Sequence, residues 1–273
     1  MNDLTAVILT KNEESDLPRC LSALSGFAKL VVVDSGSTDR TLEIAAEHGA
    51  VVLEHPFESF GKQRNWALER VSNGWTLFLD ADEIATDEFK AAVKAAIADA
   101  PTDVAGFYCC WKMMLDSVWL KNSDNFPKWQ LRVIRNRRVT FIDAGHGQKE
   151  GEVRGRLEFI REPYLHYGFS KGWSAWIERH NRYSTLEARE RVRGSASLRD
   201  VFITNASQRN RALKLLVSKI PFWPLLRFTY TYLFRGGFLE GRQGFTYTAM
   251  LAFYEFLIQS KMREIKGAGD VKS

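Results

Sequence analysis

Three acidic segments of the chain each follow an apolar run. They are Thr10-Lys11-Asn12-Glu13-Glu14, Asp34-Ser35-Gly36-Ser37-Thr38-Asp39 and Asp80-Ala81-Asp82-Glu83. Two carboxylates one residue apart, such as Asp80 and Asp82, can reach one hard cation, and Mg²⁺ or Mn²⁺ favours carboxylate and phosphate oxygens. A metal there would neutralise the charge that develops when a nucleotide diphosphate leaves. The plainer alternative is that Asp82 and Glu83 only begin the next helix, where acids suit the helix dipole.

The second acidic segment begins with Asp34, at the end of the apolar run Val31-Val32-Val33. An acid at such a position can accept hydrogen bonds from a base or a ribose. The residues after it supply a turn and the start of a helix, and for Asp39 we prefer a simple capping role. The chain contains neither GxGxxG nor GxxxxGK[ST], which argues against a dinucleotide enzyme or a P-loop NTPase.

The periodicity of the first hundred residues predicts strands that alternate with helices. Continuous apolar runs at 4–9, 30–33, 51–53 and 77–79 are typical of strands with helices on both faces. Between them we expect a helix with Leu17, Cys20, Leu21 and Leu24 on one face, one from a Ser37 or Thr38 cap to Gly49, and one over 60–71. Such units build a mostly parallel sheet, and ligands bind beyond the carboxyl ends of its strands. The three acidic segments are therefore predicted to meet at one edge.

The rest of the chain adds a helix at 87–98, strands at 104–114 and 129–135, and a charged helical stretch at 171–193. Its three cysteines show no zinc-binding spacing, and the N-terminus does not resemble a signal peptide, so a reduced, intracellular protein is expected. The net charge of +5 is uneven, because residues 204–266 hold ten Lys or Arg against three Glu. That part is expected to meet an anionic surface, either lipid or nucleic acid.

The order and spacing of the acidic segments resemble those of family 2 glycosyltransferases with the GT-A fold. The segments that carry the resemblance run from Val7 to Glu14, from Val32 to Thr41 and from Leu79 to Glu83, while Phe60-Gly61-Lys62-Gln63-Arg64-Asn65-Trp66-Ala67 is similar to the branch of lipopolysaccharide core β-1,4-glucosyltransferases. The resemblance implies an α/β, Rossmann-like, mostly parallel sheet flanked by helices. It also implies inverting transfer of a hexose, with UDP-glucose as the expected nucleotide diphosphate sugar, to a saccharide or lipid-linked acceptor in cell-envelope or lipopolysaccharide synthesis.

The resemblance also assigns residues to the nucleotide-sugar and metal sites. The nucleotide sugar would contact Thr10, Glu13, Asp34, Lys62, Arg64 and Asp80. Asp82 would bind Mn²⁺ or Mg²⁺, supported by Asp80 and by His166, whose neutral imidazole can serve as a ligand. Lys62 and Arg64 have the alternative of being solvated helix charges, and His166 that of being a packed core residue.

The catalytic base is expected after the strand at 129–135. Inverting transfer needs a carboxylate to deprotonate the acceptor hydroxyl. The branch often carries a His-Glu pair, whereas this chain has Asp143-Ala144-Gly145-His146-Gly147-Gln148-Lys149-Glu150. The departure divides the candidates among Glu150, Asp143 and His146, and Glu150 is preferred because it follows a Gly-rich turn. Trp129-Gln130-Leu131-Arg132 resembles a motif of the branch near the acceptor.

We predict a GT-A catalytic domain over residues 1–170, with nucleotide-sugar binding in 1–100 and the acceptor side in 101–170. Residues 171–273 form a basic, C-terminal amphipathic helical extension. Its apolar stretches are too short or too interrupted to span a bilayer, but aromatic residues beside Lys and Arg fit helices in the headgroup region of an anionic membrane. The expected location is cytoplasmic, peripheral on the inner face of the cell membrane. An ordinary helical subdomain is the alternative, and nucleic acid is not an expected partner because no nucleic-acid module is visible.

Two other functions compete with glycosyl transfer. A non-catalytic nucleotide-sugar-binding membrane scaffold would share the fold and lack a working base. A sugar nucleotidyltransferase would want a Gly-rich, basic loop after the first strand, whereas Thr10 to Glu14 is acidic and lacks glycine.

Overall fold

The computed structural model describes residues 4–71, 74–144, 147–202 and 206–270, and these form two compact units. The first unit contains the described residues up to Lys121 together with Asn125–Lys171. The second contains Asn122–Asp124 and the described residues from Gly172 onward. Glu240 holds the short segment within the second unit, because its carboxylate accepts hydrogen bonds from the backbone N–H groups of Asn122 and Ser123.

The first unit contains all of the strands that the structure describes. Its elements are β1 (Leu4–Thr10), α1 (Leu17–Leu24), β2 (Lys29–Asp34), α2 (Thr41–Glu47), β3 (Val51–Glu54), α3 (Phe60–Arg70), β4 (Trp75–Asp80), β5 (Glu83–Ile84), α4 (Asp87–Ala98), β6 (Val104–Leu115), β7 (Val118–Trp119), β8 (Trp129–Arg135), β9 (Val139–Ala144), β10 (Gly147–Val153) and β11 (Arg156–His166). The strands and helices expected before residue 136 are therefore present.

The main sheet has the order β3-β2-β1-β4-β8-β6-β11-β5, and β7 pairs with β6. Strands β3, β2, β1 and β4 are parallel, as the βαβ pattern predicts, and β6 is parallel to β11. Strand β8 is antiparallel to both of its neighbours, so the sheet as a whole is mixed. No crossover helix lies between β6 and β8, and a parallel pair would need one.

Helices cover both faces of the parallel strands. Leu17, Cys20, Leu21 and Leu24 of α1 are fully buried and pack in one cluster with side chains of β1, β4 and α4. On the other face, Ala67 of α3 packs with Val7, Phe78 and Phe141 of β9. Because both faces are covered, the strands are continuous apolar runs and only their ends carry polar side chains.

Helix α2 begins at Thr41, so the predicted start after Ser37 or Thr38 is wrong. The hydroxyl of Ser37 donates to Asp34 at 2.5 Å and therefore belongs to the loop before the helix. Asp39 instead accepts a hydrogen bond of 3.0 Å from the N–H of Thr41. That bond satisfies one of the free N–H groups of the first turn.

The second unit is helical over its described residues. Its elements are α5 (Gly172–Arg193), a 3-10 helix (Leu198–Phe202), α6 (Ala206–Val217), α7 (Trp223–Thr229), a π-helical segment (Tyr230–Phe234), a second 3-10 helix (Gly237–Glu240) and α8 (Gly241–Asp270). Glu255, which interrupts the apolar part of α8, is buried and accepts a hydrogen bond of 2.8 Å from Arg191 of α5. Of the helices in the described part of the chain, none is long and apolar enough to cross a membrane.

Candidate active site

The three acidic segments lie at the carboxyl ends of adjacent strands. Thr10 is paired with Asp34 across β1 and β2, and Leu9 is paired with Asp80 across β1 and β4. Asp34 and Asp80 therefore flank the end of β1, two strand spacings or roughly 10 Å apart. The structure thus brings the three segments to one edge of the sheet, as their order predicts.

Asp34 is fully buried and organises the loop that follows β2. Its Oδ2 accepts hydrogen bonds from the N–H groups of Gly36, at 2.8 Å, and Ser37, at 2.7 Å, while its Oδ1 accepts from the hydroxyls of Thr10 and Ser37. The carboxylate therefore accepts four hydrogen bonds from the chain itself. A nucleotide that contacts Asp34 directly has to replace one of them, and the rotatable hydroxyl of Ser37 is the simplest to displace.

The turn between β4 and β5 is held by Glu83. Its Oε2 accepts a hydrogen bond of 2.8 Å from the N–H of Asp80, and its Oε1 lies 2.5 Å from Nη2 of Arg132. Glu83 is buried in β5, and α4 starts only at Asp87, so the alternative in which Glu83 begins that helix is wrong. The buried ion pair of Glu83 and Arg132 therefore fixes the backbone of the turn that carries Asp82.

Asp80 faces two buried arginines. Its Oδ2 is 3.1 Å from Nη2 of Arg132, and its Oδ1 is 3.5 Å from Nη2 of Arg64. Burial raises the pKa of Asp80, but the charges of Arg132 and then Arg64 outweigh burial and lower the pKa below its usual range. Asp80 is therefore a carboxylate whose charge is largely balanced by Arg132 and Arg64.

Arg64 and Lys62 lie in the first turns of α3 and differ in environment. Arg64 is buried, so the solvated alternative is wrong for it, and its Nε and Nη1 have no hydrogen-bond partner among the described residues. Burial lowers the pKa of Arg64 to about 10, although Asp80 opposes that shift. Two unpaired donors on a buried cation suit an anionic ligand. Lys62 is 63% exposed and pairs with Glu58 at 2.6 Å, as a solvated helix charge does.

Asp82 lies beside His166 at the end of β11. Oδ2 of Asp82 is 3.4 Å from Nε2 of His166, and the backbone carbonyl of Asp82 accepts a hydrogen bond of 2.8 Å from the N–H of Tyr167. Burial lowers the pKa of His166, but the charge and hydrogen bond of Asp82 oppose burial, and the resulting pKa is about 9. The buried Nδ1 of His166 has no hydrogen-bond partner in the described residues.

These donors fit a divalent cation that also binds phosphate. In the described part of the chain, no group of three or more His, Cys, Asp and Glu side chains could hold a metal ion. One carboxylate and one imidazole leave coordination positions for diphosphate oxygens, an arrangement that Mn²⁺ and Mg²⁺ accept. Asp82 and a deprotonated His166 could therefore hold such a cation only together with the diphosphate oxygens of a nucleotide sugar.

Glu13 is tied to Lys171, a residue that the sequence did not single out. Nζ of Lys171 lies 2.7 Å from Oε1 of Glu13 and donates to the carbonyl of Asn12 at 2.7 Å. Burial raises the pKa of Glu13 to about 7, and Lys171 acts in the opposite direction. This ion pair joins the first acidic segment to a residue that lies 158 positions later in the chain.

The candidate bases Asp143 and Glu150 lie on the hairpin of β9 and β10, and His146 lies outside the described residues. Oδ1 of Asp143 accepts a hydrogen bond of 3.1 Å from the N–H of Gly61 in α3. A Cβ on Gly61 would lie 2.9 Å from that oxygen, so only glycine permits the approach. Oε1 of Glu150 accepts a hydrogen bond of 2.5 Å from the hydroxyl of Tyr108 on β6.

The chain is similar in sequence to known glycosyltransferases. The family model described as Glycosyl transferase family 2 matches residues 5–147. The lipopolysaccharide core biosynthesis glycosyltransferase LpsC of Rhizobium meliloti is 27% identical over 265 residues, which cover 95% of this chain and 91% of LpsC. An uncharacterized glycosyltransferase of Rickettsia felis is 24% identical over 279 residues, covering 97% of this chain and 90% of the relative.

The fold agrees with this similarity. The mannosyltransferase PcManGT of Pyrobaculum calidifontis, solved with GDP-Man and Mn²⁺, has a TM-score of 0.51 at 16% identity and covers 96% of this chain and 87% of that one. The expected α/β GT-A fold with C-terminal helices is confirmed. The family model covers more than half of the chain, and the strand-end carboxylates lie within the matched region. The chain therefore belongs to glycosyl transferase family 2 and is a glycosyltransferase.

Proposed function

We propose that this glycosyltransferase transfers a hexose, with glucose from UDP-glucose as the first choice, with inversion and with Mn²⁺ or Mg²⁺. The observation that carries the proposal is the 3.4 Å approach of Asp82 to His166 at the edge where the Asp34 loop also ends. The solved complex of PcManGT with GDP-Man and Mn²⁺ supports a divalent metal. When bound, the metal would supply Lewis-acid stabilisation of the leaving diphosphate.

Different residues of the chain would bind different parts of the nucleotide sugar. Thr10, Glu13 and Asp34 would bind the nucleoside end, because they line the ends of β1 and β2. Asp82 and His166 would hold the metal beside the diphosphate. Arg64 would direct its unpaired N–H groups to the diphosphate, with Asp80 keeping its guanidinium in place.

Glu150 is the proposed general base. Asp143 already accepts a hydrogen bond from the backbone N–H of Gly61 in α3, whereas Glu150 accepts one from the hydroxyl of Tyr108, whose hydrogen can turn away as an acceptor hydroxyl arrives. Such a carboxylate would take the hydroxyl proton while the oxygen attacks the anomeric carbon from the face opposite the leaving group. The acceptor would be a saccharide or lipid-linked saccharide of the cell envelope, since LpsC acts in lipopolysaccharide core biosynthesis.

The proposal is tested by measuring nucleoside diphosphate release from UDP-glucose and other nucleotide sugars, with Mn²⁺ and with EDTA. We expect metal-dependent turnover and, from an α-linked donor, a β-configured product by NMR. Glu150→Gln should lower kcat by at least about a hundredfold with donor binding retained, and Asp143→Asn should have the smaller effect. An α-configured product would refute inversion. Tight donor binding without turnover would favour the non-catalytic scaffold.

We also propose that the second unit lies on the anionic inner face of the cell membrane. Exposed apolar side chains recur from Phe222, directly before α7, to Phe234 at the end of the π-helical segment, and these two are 77% and 79% exposed. Lys219, Arg263 and Lys266 line a nearby cavity of about 210 Å³ and form no ion pair with other described residues. Apolar insertion beside unpaired cations is the pattern of interfacial binding to anionic lipid.

Cosedimentation with phosphatidylcholine vesicles, with and without phosphatidylglycerol, tests this placement. The chain should bind only the anionic vesicles. Two double variants should reduce binding, Phe222→Ser/Phe234→Ser and Arg263→Gln/Lys266→Gln. In the second of them, we expect a loss of about fivefold for each cation removed. Val51→Ser, on an exposed residue of the first unit, should bind like the unchanged chain. Equal binding by all variants, or preference for an oligonucleotide over the vesicles, would contradict the proposal.

A further inference from the structure

Two exposed aromatic side chains flank Tyr108 in the first unit. Trp129 of β8 is 37% exposed and Phe159 of β11 is 54% exposed. The Phe159 ring stacks on Tyr108 with centroids 5.2 Å apart, and Trp129 meets Phe159 edge-on at 4.9 Å. The three rings form a continuous aromatic platform across β8, β6 and β11.

Trp129, the first residue of β8, lies at the edge of the sheet that carries the acidic segments, while Tyr108 and Phe159 lie further inside the sheet, within β6 and β11. Leu77 of β4, Val133 of β8 and Phe107 of β6 form one row across the sheet. Strands β4 and β6 run in the same direction, because each is antiparallel to β8. Asp80 and Tyr108 therefore both follow this row toward the same edge. Two strand spacings, or roughly 10 Å, separate their strands.

The platform also adjoins the proposed base, because the Tyr108 hydroxyl donates to Glu150. Pyranose rings have an apolar face of C–H groups, and an exposed aromatic ring can cover that face while the sugar hydroxyls remain free for hydrogen bonds. We propose that Trp129 and Phe159 bind the acceptor saccharide by its C–H face and thereby bring its hydroxyl to Glu150. This inference rests on the proposed function and adds the acceptor subsite to it.

The exposure of Trp129 and Phe159 and the unbroken contact between their rings favour a bound sugar over simple packing. Fully packed aromatic residues of this unit, such as Phe78 and Phe89, are completely buried. Trp129 and Phe159 instead keep a large part of their surface accessible although they contact each other. A bound ring would remove that apolar surface from water without moving the strands.

Saturation-transfer NMR with methyl β-D-glucopyranoside tests the subsite without any donor or turnover. One face of this sugar carries H1, H3 and H5, and the other carries H2 and H4. We expect transfer from the full chain to be strongest for the protons of one face. Trp129→Leu and Phe159→Leu should each weaken sugar binding by about tenfold, whereas Phe202→Leu, on an exposed ring of the second unit, should leave it unchanged.

A second measurement separates this inference from the proposed function. Metal-dependent binding of UDP-glucose, measured by calorimetry, reports on the donor site, so both platform variants should raise the acceptor KM without a matching loss of donor affinity. Absent saturation transfer, transfer spread evenly over all ring protons, or an unchanged pattern in both variants would overturn the acceptor subsite. Absent metal-dependent binding of UDP-glucose by every form of the chain would instead count against the proposed function.

Discussion

Nη2 of Arg132 lies 2.5 Å from Oε1 of Glu83, and both side chains are almost completely buried. Burial lowers the pKa of Arg132, but Glu83 and Tyr164 oppose it and hold the pKa well above its usual value. Arg132 therefore stays charged at neutral pH, whereas burial raises the pKa of Glu83 to about 7 although Arg132 opposes that rise. The pair joins β8 to the turn that carries Asp82, so the position of a candidate metal ligand depends on a strand that begins 47 residues later.

Arg132→Met is expected to lower the free energy of unfolding by about 3–5 kcal/mol, because it leaves the buried carboxyl group of Glu83 without its cation. The double variant Arg132→Met/Glu83→Leu should recover part of that loss. Urea unfolding measures both. Arg156→Met is the matched control, since Arg156 forms an exposed pair with Asp103 and its loss should cost less than about 1 kcal/mol. An equal loss in both single variants would contradict the role given to Arg132.

The sequence predicts the parallel half of the sheet well, because periodicity is a local signal. Strand ends at Thr10, Asp34 and Asp80 and the buried face of α1 follow from it directly. The role of Arg132 does not, since its partners lie 49 and 52 residues away and its motif suggested a place near the acceptor. The antiparallel direction of β8 is likewise decided by its pairing with β4 and β6 in the folded chain, which the local sequence pattern does not report.

Asp82→Asn and His166→Gln should each lower kcat/KM by at least about a hundredfold, because stabilisation by a metal is worth several kcal/mol. Both should also weaken Mn²⁺ binding in the presence of UDP, measured by electron paramagnetic resonance. Asp87→Asn, an exposed acid at the start of α4, should behave as the unchanged chain. Unaltered Mn²⁺ affinity in both variants would remove this pair from the metal site.

Gly244→Ala should destabilise the second unit. A Cβ at Gly244 would lie 2.0 Å from the carbonyl oxygen of Gly237 and 2.8 Å from Cβ of Glu240, so α8 and the preceding 3-10 helix would have to separate. We expect a loss of about 1–3 kcal/mol or more in the free energy of unfolding. Gly267→Ala is the control in the same helix, because its Cβ meets nothing within 4 Å, and it should stabilise by up to about 1 kcal/mol. Thermal unfolding followed by circular dichroism separates the two.

Glu13 should make the stability of the chain fall between about pH 4.5 and pH 7. Its folded pKa of about 7 lies above the ordinary 4.5, so over this interval the folded state keeps a proton that the unfolded state loses. The stabilising contribution is complete below pH 4.5 and is lost as the pH rises through 7, at most about 3 kcal/mol. Glu13→Gln should remove the Glu13 part of this decline, as measured by urea unfolding across the interval, whereas the part due to Glu83, whose pKa burial also raises to about 7, should remain. Lys171→Met should extend the decline to higher pH, because Lys171 lowers the pKa of Glu13. A decline that persists unchanged in Glu13→Gln would assign it to another group.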